Sequence, residues 1–441
     1  MLALSSSRTV AFYEPRFYSL HLACSAAYFS WPPDLDYYPD LLLMGQEVFV
    51  RSPGAVAAAV FVGLHISTPP ASELIASVVV PAKDEATTLP GALAALATQV
   101  DFAGQPLNPR SYEILILANN CTDQTAAVAR GFAQRNPAVA VHVVDITLPP
   151  KEAHIGRARR LLMDAACHRL EHVGNAYSFL ASTDADTCVA PTWLAAIQAE
   201  LRAGTDAVGG RILTEGLRKD KCVVRHQHLR DTTYRLLRAR LESVVDPDPA
   251  DPWPRHHQHF GANLALTPQA YRRVGGLPVV PYLEDEALYQ ALRRHDLRVR
   301  HSPRVQVVTS DRRAGRVAVG LSWQLREWET LHQQQQEPHV ESPYGLRQEW
   351  EVRRQLRQQW QQQRQRKASL SGPTVDELAT KLGVLSTTLA EQLQAHETFG
   401  RLWHWVEQTR QTLGHWAQCW PLIPLSQALM EVRQLLRHYE P

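Results

Sequence analysis

The hydrophobic pattern changes character twice along the chain, near residue 73 and near residue 330. Between these points short, almost wholly apolar runs alternate with longer amphipathic stretches. Ser77-Val78-Val79-Val80-Pro81 is β-branched and ends at a proline, the pattern of a buried parallel strand. The periodicity predicts a helix over Leu89 to Ala97, a second buried strand over Glu113 to Leu117, and a second helix over Thr125 to Ala133. Val139 to Val144 predicts a third strand, Gly156 to Arg169 a long helix, and Tyr177 to Ala181 a fourth strand. That strand runs directly into Ser182-Thr183-Asp184-Ala185-Asp186. Val305 to Val308 reads as the last strand. Strand and helix alternating four times predict an α/β fold, a doubly wound mixed or parallel sheet flanked by helices. In such sheets ligands bind beyond the carboxyl ends of the strands, where strand order reverses.

The flanking segments read differently. Residues 1–72 mix aromatics and prolines (Trp31-Pro32-Pro33, Tyr37-Tyr38-Pro39) without a sustained period, and read as an N-terminal extension, either a partly ordered arm or a loosely packed addition. Residues 73–330 carry the α/β pattern. Residues 331–441 are rich in Gln and read as helical, with Val375 to Leu389 and Phe399 to Leu413 at helical spacing and a break at Ser371-Gly372-Pro373. This C-terminal region lies against the main domain or mediates self-association.

Composition narrows the function classes. With 46 basic and 44 acidic residues the formal net charge is +2, so no global field recruits nucleic acid or an anionic membrane. Any phosphate recognition therefore rests on local basic groups. The six cysteines are scattered without a CxxC pair, which fits a reducing compartment. The most apolar stretch, Ala55 to Leu64, falls short of the roughly 20 residues a membrane helix needs. A soluble, cytoplasmic protein is the expectation.

Asp184 and Asp186 stand two apart on a turn after an apolar strand, where both carboxylates reach one hard cation. Mg²⁺ or Mn²⁺ takes one or two carboxylates and fills its remaining positions with water and phosphate oxygens, so a nucleotide diphosphate fits. Asp-x-Asp on its own is a common solvated loop; its place at the fourth strand's end gives it weight. Tyr282-Leu283-Glu284-Asp285-Glu286 puts three acids at a helix start, where they complement the helix dipole or supply a general base for an attacking hydroxyl. Arg157, Arg159 and Arg160, and Arg312, Arg313 and Arg316, are two basic groups with forks suited to phosphate, the second beside Gly315 in a loop free to close. The alternative for both is a solvated basic face. His256, His257 and His259 are poorly spaced for one ion and read as the lining of a wet cleft.

The order of these segments resembles the GT-A fold glycosyltransferases of family 2. The resemblance covers about Ser77 to Trp328 and rests on Val79-Val80-Pro81-Ala82-Lys83-Asp84-Glu85 and Ala118-Asn119-Asn120-Cys121-Thr122-Asp123-Gln124-Thr125. It continues through Asp184-Ala185-Asp186, Gly261-Ala262-Asn263 with Gly275-Gly276, and Glu284-Asp285. It implies a nucleotide-diphosphate sugar donor, an acceptor hydroxyl, a divalent metal (Mn²⁺ or Mg²⁺) and inversion of the anomeric centre by direct displacement. By the same resemblance Pro81, Ala82 and Glu85 lie beside the nucleoside, and Asn119, where many relatives carry Asp, holds base or ribose. Asp186 is the main metal ligand, and Asp184 binds ribose or a metal-bound water. Asp285 is the catalytic base, and Glu284 orients the acceptor. Processive members carry Gln-x-x-Arg-Trp followed by membrane helices; Gln324-Leu325-Arg326-Glu327-Trp328 only approximates this, so a non-processive enzyme is expected. A GT-A domain retained as an inactive binding or scaffold module is the competing reading. A sugar-phosphate nucleotidyltransferase is a third, disfavoured because Pro81-Ala82-Lys83-Asp84-Glu85 has no glycine.

Overall fold

The computed structural model describes residues 63–214, 223–312, 320–365 and 374–439. Most of the N-terminal extension, Arg313, Gly315 and Arg316, and the Ser371-Gly372-Pro373 break lie outside these residues.

One eight-stranded sheet organises the first two thirds of the chain. Its strands are β1 (Ala76–Ala82), β2 (Tyr112–Asn119), β3 (Ala140–Ile146), β4 (Phe179–Ser182), β5 (Thr187–Val189), β6 (Ala207–Thr214), β7 (Leu264–Leu266) and β8 (Val299–Thr309). They lie in the order β3-β2-β1-β4-β7-β6-β8-β5. Strands β1 to β4 are mutually parallel, as the apolar runs predict, whereas β7 runs antiparallel to β4 and β6, and β5 antiparallel to β8. The sheet is therefore mixed. The helices between the strands are α1 (Leu89–Ala97), α2 (Thr125–Arg135), α3 (Ile155–Val173), α4 (Trp193–Arg202), α5 (Val223–Val245), α6 (Pro268–Arg273) and α7 (Glu284–Arg294).

Alternation along β1 explains why its residues are all apolar or small. Val78 and Val80 enter one core with Leu89, Leu93 and Leu96 of α1 and Trp193 and Ile197 of α4. Val79 points the other way, into a core with Leu161, Leu162, Ala166 and Leu170 of α3. Each such side chain contributes on the order of 1.5–3 kcal/mol through burial. A charged pair is admitted to this interior. Glu113 of β2, buried, accepts hydrogen bonds from Ser77 Oγ at 2.6 Å and from Arg169 Nε and Nη2 at 2.9 and 2.6 Å. Arg169 also donates to the Thr68 carbonyl, so the pair ties α3, two strands and the segment entering β1 together.

The chain passes from β1 outward to β2 and β3, then returns to place β4 on the other side of β1. The reversal opens a cleft at the carboxyl ends of β1 and β4. Beyond β8 the chain is helical: α8 (Leu321–Gln333), α9 (Pro343–Arg364), α10 (Val375–Leu382), α11 (Ser386–Ala395), α12 (Phe399–Leu413), α13 (His415–Cys419) and α14 (Leu425–Tyr439), with a small ribbon of β9 (His339–Val340) and β10 (Ile423–Pro424). The segment read as one helix over Val375 to Leu389 is two, because Gly383 takes φ +70° and ends α10. The C-terminal helices lie against the sheet domain. Asp296, just past α7, accepts hydrogen bonds from the Phe399 and Gly400 amides at 2.8 and 2.7 Å and so caps α12. No described helix is long and apolar enough to cross a membrane.

Candidate functional site

Three chain segments meet at the cleft. The first is the turn after β1, where Asp84 takes φ +53° and Glu85 is buried. It is clasped to the turn after β2: Asp84 Oδ1 accepts from the Thr122 amide at 2.6 Å, Asp123 Oδ2 from the Ala86 amide at 3.0 Å, and Thr125 Oγ1 from the Glu85 amide at 2.7 Å. Much of the polar run from Asn119 to Thr125 thus holds two strand-end loops in register. Asn119, the last residue of β2, is 4% exposed, and its Oδ1 finds no partner among the described residues. An acceptor left unpaired at a strand end is a place for a ligand donor.

The second segment is the turn after β4, carrying Asp184 and Asp186. The third is the start of α7, carrying Glu284 and Asp285. Two arginines interleave these acids. Arg159 of α3 donates through Nη2 to Asp184 Oδ1 at 2.6 Å and through Nη1 to Glu284 Oε1. Arg312 donates through Nη1 and Nη2 to the two oxygens of Glu85, at 2.8 and 2.5 Å, and its Nη2 lies 3.1 Å from Asp186 Oδ2. Asp285 is held by backbone: its Oδ2 accepts from the Gly261 amide at 2.7 Å and its Oδ1 from the Glu286 amide at 2.8 Å. Gly261 fits where it does because a Cβ there would stand 2.4 Å from Arg159 Nη1.

The charges strain against one another. Burial raises the Asp184 carboxyl above the usual range, and the negative charges of Asp285 and Glu85 push the same way against Arg159. Burial and the charge of Asp184 push Asp186 up to about 6, with Arg312 opposing. A crowded set of carboxylate oxygens, harder to ionise because they repel one another, gains stability from a hard cation. The donor set of Asp186 with Asp184 fits a divalent ion of the Mg²⁺ or Mn²⁺ kind. A second group, Asp84, Cys121 and Asp123, brings three candidate ligand atoms within 4.8 Å of one another. Its carboxylates are already engaged as clasps by the Thr122, Ala86 and Thr125 donors, and its thiol is a soft partner for such an ion.

Residues 77–253 match the model of glycosyl transferase family 2. Over this segment the chain is similar to glycosyl transferase family 2. The match spans β1 through α5; Gly261 and the Glu284-Asp285 pair follow it in the chain. No curated protein sequence matches the chain. Among solved structures, the mannosyltransferase PcManGT from Pyrobaculum calidifontis, in complex with GDP-Man and Mn²⁺, is 15% identical with a TM-score of 0.39, over 79% of this chain and 85% of that one. Residues 1–349 of S. aureus TarS with UDP-GlcNAc give 12% identity and 0.39, over 77% and 92%. Glucosyl-3-phosphoglycerate synthase from Mycobacterium tuberculosis, with phosphoglyceric acid, gives 17% and 0.32, over 62% and 86%. These are distant likenesses and assign no ligand to this chain.

Within the matched segment the basic group on α3 splits into three fates. Arg157 turns to Glu152 at 2.8 Å, away from the acids. Arg160 donates to the Gly275 and Leu277 carbonyls and secures the Gly275-Gly276 turn. Arg159 reaches the cleft, 5% exposed along its side chain. Glu284, expected to orient the acceptor, is itself buried and takes up Arg159. Asn263 is a bracket: its Oδ1 accepts from Trp193 Nε1 and its Nδ2 donates to the Arg211 and Val305 carbonyls, joining α4, β6 and β8.

The three histidines line a cavity of about 460 Å³ with Glu286, Tyr289 and His301, and two of them, His256 and His259, are buried in its wall. His256 is buried; its Nδ1 accepts from the Gln258 amide, so Nε2 carries the proton donated to the Ser302 carbonyl. Burial, with His301 nearby, pushes it down to about 3. His259 pairs with Glu286 at 2.7 Å and stacks on Tyr289 with ring centroids 3.8 Å apart. These contacts support the residue next to Asp285 from behind. The role of Arg159 and the His259–Glu286 pair escaped the sequence reading, because both depend on contacts across more than twenty residues of chain.

Proposed function

We propose that this chain moves a sugar from a nucleotide-diphosphate donor to an acceptor hydroxyl by a single inverting displacement assisted by Mn²⁺ or Mg²⁺. The observation that carries the reading is the convergence of Glu85, Asp184, Asp186 and Asp285, from three separate segments, around two arginines at the carboxyl ends of parallel strands. Pro81, Ala82 and Asn119 would wall the nucleoside. Asp186 would ligate the metal, with Asp184, anchored to Arg159, binding ribose or a metal-bound water. When bound, the ion supplies positive charge to the diphosphate as it leaves. Arg312 would add a forked contact to phosphate; Arg316, the other arginine expected to do so, lies outside the described residues.

Asp285 would take the proton of the acceptor hydroxyl. Its carboxylate is oriented by two amides, which fixes the geometry a general base needs. Glu284 would act through Arg159 rather than on the acceptor directly. A non-processive reaction is supported by the use of the Gln324 to Trp328 segment: Leu325 and Trp328 are buried in a small core with Val224, so this stretch of α8 serves packing.

Calorimetric titration with UDP, GDP and dTDP, each with and without Mn²⁺, tests the reading. Metal-dependent binding of at least one is the expected result, and no binding of any would refute it. Asp285→Asn should then abolish transfer with donor affinity intact; lost donor affinity in that variant would mean the base lies elsewhere.

A further inference from the structure

Building on the glycosyltransferase reading, the geometry points to Arg312 as the cleft's own counter-cation. It stands between Glu85 and Asp186 in the position of the divalent ion, the ion displaces it, and its freed guanidinium turns to the donor's phosphates. One guanidinium bridges two carboxylates contributed by different strand ends, with both Glu85 oxygens and one Asp186 oxygen within 3.1 Å of it. The acids are well covered, at 6% and 12% side-chain exposure, while Arg312 is 30% exposed at the mouth. The positive charge thus closes the acidic cradle from the solvent side, the side from which an ion and a diphosphate arrive.

Arg312 is also built to leave. It lies three residues past Thr309, the last residue of β8, and its amide donates to Ser310 Oγ at 3.3 Å rather than to a neighbouring strand. Withdrawing its side chain breaks no ladder hydrogen bond. A divalent ion on Asp186 repels a guanidinium on the same carboxylate, and the planar fork that fits Glu85 fits a phosphate equally well. The exchange leaves the net charge of the cleft nearly unchanged, because the ion and the diphosphate bring opposite charges: arginine on acids before loading, metal on acids and arginine on phosphate after.

The test is titration of Mn²⁺ alone, followed by calorimetry, into wild type, R312Q and R312K, then titration of UDP and GDP into the Mn²⁺-saturated proteins. R312Q should bind Mn²⁺ about tenfold more tightly, since a competing unit charge a few ångströms away is gone, and should bind the nucleotide about tenfold or more weakly. R312K keeps the charge and should stay near wild type for Mn²⁺ while losing nucleotide affinity with the fork. Unchanged or weaker Mn²⁺ binding by R312Q overturns the inference. If R312Q does not fold, R312K decides it, and nucleotide affinity equal to wild type overturns the inference. Wild-type protein that binds neither Mn²⁺ nor nucleotide overturns the glycosyltransferase reading and this one with it; wild-type binding of both, with no opposite shifts in R312Q, overturns this one alone.

Discussion

Gly261→Ala adds one methyl group beside Arg159 and so bears on Asp184, Glu284 and Asp285 together. A methyl group there would stand 2.4 Å from Arg159 Nη1, 2.5 Å from Cζ and 2.9 Å from Nη2, against the 3.4 Å at which such contacts become ordinary. Arg159 has nowhere to retreat, since Nη2 is bound to Asp184, Nη1 to Glu284, and Nε is buried. If the guanidinium yields, one charge-assisted hydrogen bond is lost, at about 1.5–3 kcal/mol. If the backbone yields, a shift of about 1 Å carries the Gly261 amide off Asp285 Oδ2, and misplacement on that scale lowers turnover by about 10²-fold. The expected phenotype is a folded protein, destabilised by about 1.5–3 kcal/mol, that binds donor nearly normally but transfers poorly. Gly91→Ala is the matched control: its Cβ meets Cys188 Sγ at 3.8 Å, in the first turn of α1, and should gain about 0.4–1 kcal/mol. Urea unfolding of both variants, with sugar release from whichever nucleotide sugar binds, reads the difference. Wild-type stability together with wild-type turnover in Gly261→Ala would refute the account of Arg159 as wedged between two acids.

Asp186→Ala should lower Mn²⁺ and nucleotide affinity together, measured by calorimetry, whereas Asp285→Asn should leave both unchanged and abolish transfer. Burial would raise the Glu113 carboxyl, but hydrogen bonds from His142, Arg169 and Ser77 outweigh it and hold it down to about 2, from an ordinary 4.5. A carboxyl depressed in the folded state stabilises the fold above about pH 4.5 and loses that contribution as pH falls towards 2, in total roughly 3 kcal/mol. Glu113→Gln should therefore unfold more easily at pH 7 and show a flatter stability profile over that acid window. Gly400→Ala would set a Cβ 1.8 Å from the Arg293 carbonyl oxygen, so it should detach α12 from α7, read as faster amide exchange in the C-terminal helices.

How legible the molecule was depends on how local each determinant is. The apolar runs of β1, β2, β3 and β4 each carry their own signal, and α1 and α12 begin and end where the periodicity places them. Strands β5 and β7 are three residues long, too short for any period to show. β6 contains Gly209-Gly210, which looks like a turn in sequence. In the fold these glycines make room for neighbours, Gly209 for the Gln258 carbonyl and Gly210 for the Asn263 side chain. The antiparallel half of the sheet was hidden for that reason, and with it the partners of the histidines, Ser302 of β8 for His256 and Glu286 of α7 for His259.

The acids of the site were readable because strand ends and helix starts present them regardless of register, as was Arg312, but the member of the α3 arginine group that reaches the cleft was not. Along α3 successive residues turn by about 100°, so Arg157 and Arg159 point to nearly opposite sides and only one of them can face the sheet. Residue composition could name the group of three and not the member. What selects Arg159 is the row of buried positions on its own face: Ala158, Leu162, Ala166 and Arg169 pack under the sheet, and an arginine in that row must find acids or remain an unpaired buried charge. It finds Asp184 and Glu284, the very residues that flank the metal and base candidates. Applied to a sequence, that rule amounts to preferring the basic residue that sits within an apolar helix stripe over those on the solvated face. Here it would have passed over Arg157, which pairs with Glu152 at the surface, and chosen the side chain that joins the two halves of the cleft.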